Sequence, residues 1–271
     1  MTILDLASPP AVLPAVGADS DPVRPPAVAL RQVTKRFGRS GAPAVLDGID
    51  LAVAAGEFVC VLGASGCGKS TLLNLIAGLD APSAGSIEVA GGGAALMFQE
   101  PALFPWLSAG QNVALALRLR GVPRPDRRAE VARLLALVRL DGLADARVHE
   151  LSGGMRQRVA MARALAQDRR VLLMDEPFGA LDAITRDVLH EELIRVWAEV
   201  GLTVVFVTHN VREAVRLGQR VLLLSSRPGR IAQEYVVDIG QPRRIEAPEV
   251  STLAVTITDR LREEISSHAA A

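Results

Sequence analysis

Cysteine is scarce: Cys60 and Cys67 are the only two, with no partner cluster around them. That excludes a disulfide framework and a cysteine-based zinc site, and it suits a reducing compartment. Net charge is missing as well. Lys+Arg and Asp+Glu number 30 each, which argues against nucleic acid or anionic lipid held by bulk charge but leaves a local basic patch open. Nowhere is there an uninterrupted apolar run of the roughly 18 residues a spanning helix needs. Internal repeats, sustained heptads and a basic block are also absent. Residues 1–27 are rich in Pro and Ala, begin without basic residues and have their apolar positions broken by proline, so they do not read as a secretory signal. A disordered tail is expected there.

Against these absences, 49% of the 271 residues are apolar, enough for one large domain with a sizeable core. Short strands marked by Gly turns are expected over about 28–88, with a helix after the glycine-rich stretch that stops near Gly78. Residues 101–167 read as mostly helical. Then "RRVLLMDEP" and "LTVVFVTH" form continuous apolar strands flanking the helical "ITRDVLHEELIRVWAEVG". Continuous apolar strands alternating with helices predict a parallel sheet covered on both faces. More short strands follow from Val221, and the segment 241–271 reads as an uninformative tail. "GSIEVAGGGAALMFQ" is short and glycine-rich for a hairpin.

The chemistry concentrates in three places. Gly63, Ala64, Ser65, Gly66, Cys67, Gly68, Lys69, Ser70 and Thr71 spell the G-x4-G-K-[ST] phosphate loop between a strand and a helix. Glycines let successive N–H groups turn inward around a phosphate, the following helix adds its positive end, Lys69 reaches the β- and γ-phosphates and the Ser70 hydroxyl suits Mg²⁺. The Cys67 thiol is expected to sit among N–H dipoles that favour a thiolate, so its alkylation should inactivate the chain and ATP should protect. "VLLMDEP" places Asp175 and Glu176 at the carboxyl end of a buried strand, where ligands bind in open α/β sheets. Asp175 is placed for Mg²⁺ through its water shell and Glu176 for a general base; an acidic pair alone is equally a solvated strand end. In "LSGGMRQR" Ser152 is a candidate N-cap, with Gly153 and Gly154 opening their N–H groups to a second anion. A capped helix with a flexible entry is the plainer alternative.

Together, the phosphate loop, LSGGMRQR and the apolar strand ending in DEP resemble the ATP-binding subunit of an ABC transporter, over about 28–231. The resemblance implies an α/β P-loop fold with an antiparallel β subdomain and an inserted helical subdomain, within an ATP-binding domain at 28–240. It implies ATP hydrolysis with Mg²⁺, Ser70, Gln99 and Asp175 serving the metal and Glu176, Gln99 and His209 the chemistry. It also implies that two copies pair head to tail. Leu151, Ser152, Gly153, Gly154 and Gln157 would then act on the partner's ATP, and Asp182 would reach the partner through a loop. Phe37 stands where the family commonly has a tyrosine against adenine, a change that stacking tolerates. His149, His190 and His268 match nothing and are read as having no part in the site.

Leu103, Phe104 and Trp106 surround Pro105 just after Gln99. Physics alone leaves them open between a local core and a docking surface; the resemblance tips them towards the cytoplasmic helix of a membrane permease. "QEPALFPWL", "FGALDAITR" and "SSRPGRI" are similar to bacterial importers of the nitrate, sulfonate and taurine type. A small anionic solute, sulfonate or taurine, is expected, with nitrate, bicarbonate or another small organic solute as the alternative. A solute-binding protein is an indirect partner, nucleic acid is not one, and the expected location is peripheral, on the cytoplasmic face of the bacterial inner membrane. A soluble ABC ATPase of nucleic acid or ribosome is the remote alternative.

Overall fold

The computed structural model describes residues 25–38 and 42–269. All but 25–27 of the expected N-terminal tail lies outside them. Two strands open the chain, β1 (Val28–Arg36) and β2 (Ala44–Val53); in β2, Ile49, Leu51 and Val53 are buried while Asp50 and Ala52 face out. Next come β3 (Phe58–Gly63), α1 (Lys69–Ile76), β4 (Ala84–Val89) and β5 (Ala94–Met97). A helical stretch follows: α2 (Ala109–Leu119), α3 (Arg124–Leu137) and α4 (Gly153–Leu165). The remaining elements are β6 (Val171–Asp175), α5 (Ala183–Val200), β7 (Thr203–Val207), α6 (Val211–Leu217), β8 (Arg220–Leu224), β9 (Ile231–Val236) and α7 (Pro248–Ala269).

Two sheets result. A three-stranded antiparallel sheet has the order β2-β1-β4, and a six-stranded sheet has the order β5-β6-β7-β3-β8-β9, parallel except for β9. Every residue of β3 and β7 is buried, as expected for parallel strands covered on both faces. Alternation along these strands splits the core. Phe58, Cys60, Leu62, Met174 and Phe206 pack with the helices of one layer. Val59, Val61, Leu173, Val205 and Val207 pack with α1 and the antiparallel sheet. Trp197 closes the first layer, its ring edge-on to Phe58 at 5.7 Å and its Nε1 donating to Gly56 O.

Two segments depart from the sequence reading. The glycine-rich stretch forms no hairpin: β4 pairs with β1 and β5 with β6, so the chain crosses between sheets through Gly91–Gly93, all at positive φ. Arg169 donates to the carbonyls of Gly91 and Gly92 and pins the crossing. The expected tail contains the 22-residue α7, with Val250, Ala254 and Ile257 buried. Arg243 ties its approach to the domain, its buried guanidinium donating to the carbonyls of Val215, Gly218, Val237 and Ile239.

Candidate functional site

The carboxyl ends of β3, β6 and β7 meet at one edge of the parallel sheet. Between them opens a cleft of about 380 Å³, lined by Val45, Thr71, the glycine loop, Glu176 and His209. Gly66 and Gly68 take φ of 75° and 105°, a region that side chains avoid, and a Cβ on Gly68 would meet Leu46 at 2.7 Å. α1 starts at Lys69 with no capping side chain and no acidic residue in its first turn, which leaves its positive end for an anion. Lys69 is 7% exposed, and its Nζ donates to the carbonyls of Gly63 and Ala64, both at 2.9 Å. Among the described residues no carboxylate lies within ion-pair distance of it. Two carbonyls hold this buried ammonium at the mouth of the loop, with the Asp175 carboxylate near enough to feel its charge, an arrangement suited to an anionic ligand.

Glu176 follows β6 at φ 45°, a costly conformation for a glutamate and one that accumulates at functional sites. Its N–H donates to Val207 O at 3.0 Å, which fixes the strained turn to β7. The Glu176 carboxylate meets His209 Nδ1 at 2.8 Å. Asp175 is half-buried beside the Ser70 hydroxyl; burial pushes its carboxyl above the usual range, and the Ser70 hydrogen bond opposes that shift. Gln99 is exposed, and its side-chain amide and the Glu176 carboxylate both flank Gly179.

The structure divides the remaining candidates. Ser152 is exposed and caps α4, accepting from Met155 N at 3.2 Å, but Leu151 and Gly154 are buried. A Cβ on Gly154 would meet Thr185 at 2.7 Å, so this glycine permits close packing on α5. Gln157, grouped with the residues that face a second copy, is turned inward instead: it is buried and donates to Gln99 O at 2.9 Å. Arg163 extends that tie, donating to the carbonyls of Pro101 and Ala102. Asp182 caps α5 by accepting from Thr185 N at 2.9 Å, which holds its carboxyl below the usual range. Phe37 stands exposed outside the residues lining the cleft, with Lys35 Nζ 4.8 Å from its ring centroid.

Around Pro105 the apolar set splits. Leu103 packs into the main core, whereas Trp106 is 68% exposed, with its ring 5.4 Å from that of Phe104. These two rings border a groove of about 470 Å³ completed by Leu107, Ala114, Leu115 and Arg118. Asn112, which the sequence did not single out, is fully buried; it accepts from Phe104 N and donates to the carbonyls of Phe104 and Ser108. A polar side chain on the buried face of α2 was the only signal.

One expectation is corrected. Cys67 is 1% exposed, and burial pushes its thiol up, outweighing the nearby Lys69 and backbone N–H groups; a thiolate is disfavoured there. His190 does not line the cleft; it is 1% exposed and meets Glu213 at 2.5 Å. His149 makes no contact with the cleft residues, and the side chain of His268 lies outside the described residues.

Comparison with known proteins agrees with this geometry. The pattern of the ABC transporter family matches residues 46–179. The chain is 45% identical to a taurine import ATP-binding protein of Burkholderia pseudomallei, over 83% of this chain and 93% of that protein. It is 46% identical to a nitrate import ATP-binding protein of Synechocystis, over 80% of this chain and 84% of that one. Among solved structures it resembles the dimeric ATP-binding cassette MJ0796 bound to ADP and phosphate, with TM-score 0.67 and 32% identity over 78% of this chain and 99% of that one.

Proposed function

Because the chain belongs to the ABC transporter family and is an ATP-binding cassette ATPase, we propose that it powers import of a small anionic solute, a sulfonate such as taurine, through a membrane permease. The observation that carries the ATPase reading is the Glu176–His209 pair, which lines one cleft with the buried Lys69. Lys69 and the loop N–H groups hold the phosphates of ATP. Glu176 takes a proton from the attacking water, and His209 keeps the Glu176 carboxylate oriented while its exposed ring meets the γ-phosphate. Phe37 supports the adenine.

The oxygen donors Ser70, Asp175 and Gln99 fit Mg²⁺. A hard cation of this kind is held partly by substrate phosphates, so a few protein oxygen donors suffice. When bound, the ion neutralises charge on the phosphate oxygens.

Ser152 and Gly153 do not line this cleft, so a second copy placed head to tail would bring them over the γ-phosphate. Asp182 and its neighbour Ile184, 80% exposed, suit that contact. The MJ0796 cassette is dimeric, which supports the pairing. The groove at Phe104 and Trp106 takes a permease segment, and Gln99 and Gln157 relate its movement to the cleft. Among the described residues no helix is long and apolar enough to cross a membrane. By similarity to import ATP-binding proteins, the proposed place is peripheral, on the cytoplasmic face beside the permease, with a solute-binding protein as the indirect partner.

The similarity to a nitrate import protein favours nitrate as the second cargo. Deleting the chain in its native cell and measuring growth on taurine, an alkanesulfonate or sulfate as sole sulfur source tests the proposal. Loss of growth on the sulfonates alone, restored by the wild-type chain but not by Glu176→Gln, is expected. Full growth on every sulfonate with loss on nitrate would move the cargo to nitrate.

A further inference from the structure

We infer that Thr208, Glu213 and His190 form a buried positioning chain that holds His209 against Glu176; the inference rests on the ATPase reading above. His209 has little to fix it directly. Its side chain is 67% exposed, and its one hydrogen bond among the described residues goes to Glu176. The backbone on either side of it is held differently. Thr208 N donates to Val61 O at 3.2 Å, Asn210 N donates to Thr208 Oγ1 at 3.0 Å, and the Thr208 hydroxyl donates to the Glu213 carboxylate. Asn210 Oδ1 accepts from the N–H groups of Arg212 and Glu213, so the start of α6 closes on the same turn.

The second Glu213 oxygen meets His190 Nε2 at 2.5 Å. Both side chains are more than nine-tenths buried. The other ring nitrogen, Nδ1, has no hydrogen-bond partner, and the ring stands edge-on to Phe178 at 5.6 Å. Nδ1 instead lies 3.9 Å from the Asp187 carboxylate, so the hydrogen bond to Glu213, with Asp187 at longer range on the other side, orients this imidazole with Nε2 towards the Glu213 carboxylate. Glu213 and Thr208 also line a cavity of about 20 Å³ with Glu176, His209, Gly179 and Arg186, which brings the chain to the back wall of the proposed active site. α5, which supplies His190, begins at Asp182 in the proposed dimer loop. The network thus joins the helix that Asp182 caps to the turn proposed to sense γ-phosphate.

The test is steady-state hydrolysis of Mg-ATP by the purified full chain, with thermal unfolding measured beside it. Thr208→Val keeps the volume and removes the hydroxyl. It should lower kcat between about ten- and a hundred-fold, the size expected for a small misplacement of a reacting group, with KM for ATP near wild type and a chain that still folds, its Tm lowered by the unpaired Glu213 oxygen. The double variant His190→Phe/Glu213→Leu replaces both buried polar partners by apolar ones, which conserves folding better than removing one. It should regain stability over either single variant without regaining turnover, whereas His190→Gln, which keeps an N–H donor, should restore most of kcat. A purely structural role predicts the reverse, with turnover returning together with stability; wild-type kcat in Thr208→Val or in the folded double variant would overturn the inference. Failure of all these variants to fold would also overturn it, by marking the chain as structural. Glu176→Gln serves as the control. Lost turnover there with unchanged turnover in the chain variants sinks this inference alone, and normal turnover in Glu176→Gln sinks the ATPase assignment with it.

Discussion

The nucleotide cleft and the groove beside Trp106 are built from opposite materials. The cleft is lined by the glycine loop, hydroxyls, one buried ammonium and the Glu176–His209 pair, and its shape is set by glycines that tolerate no side chain. The groove is lined by two aromatic rings, aliphatic side chains, Gln111 and two arginines, and Asn112 fixes the backbone of Phe104 at its border. Backbone N–H groups and a point charge select phosphate whatever is attached to it. Rings and aliphatic walls select a complementary surface. One chain can therefore keep a general engine at one end and a specific handle at the other. α4 spans the interval between them, with Gln157 on Gln99 O and Arg163 on Pro101 O and Ala102 O.

The comparison breaks most visibly at Lys69. Lys69→Ala removes charge-assisted bonds of about 1.5–3 kcal/mol in total, so ATP affinity should fall roughly ten- to a hundred-fold. Fluorescent-nucleotide titration checks this, and unchanged affinity would mean that the cleft does not hold phosphate as described. Trp106→Asp acts at the other end. As a central aromatic anchor the ring should contribute about 2 kcal/mol to docking, so recovery with permease-containing membranes should drop about thirty-fold while the melting temperature holds. Equal recovery would reduce the groove to ordinary surface. The smallest effect belongs to Cys67. With the thiol buried and its pKa pushed up, alkylation of the native chain by N-ethylmaleimide should be slower than that of the unfolded chain by about ten-fold or more. Equally rapid modification of the native chain would restore the thiolate expectation.

The same contrast explains what the sequence disclosed. The phosphate loop, the DE pair and the capped helix at Ser152 are local arrangements, each written in consecutive residues, and their strand and helix contexts followed from periodicity. The parallel sheet was legible because β3, β6 and β7 are continuous apolar runs. Tertiary partnerships were not. Nothing near Asn112 says that it turns inward to hold Phe104, and nothing near His190 says that Glu213, 23 residues on, will meet it. The thiolate expectation for Cys67 weighed N–H dipoles and could not weigh burial. α7 is legible in part, because Val250, Ala254, Ile257 and Leu261 recur at helical spacing, although nothing local says that this face packs on the domain. The glycines between β4 and β5 suggested a turn but not that it crosses between sheets.

Glu176 is held in a strained turn and paired with His209, the arrangement proposed to supply the general base for ATP hydrolysis. The most direct measurement is single-turnover hydrolysis of Mg-ATP by purified Glu176→Gln beside the wild-type chain, with bound nucleotide counted in the same samples. The account predicts full ATP occupancy with hydrolysis slowed by roughly 10²- to 10⁴-fold, the range for loss of a general base. Hydrolysis at the wild-type rate with full occupancy would contradict it and remove Glu176 from the chemistry.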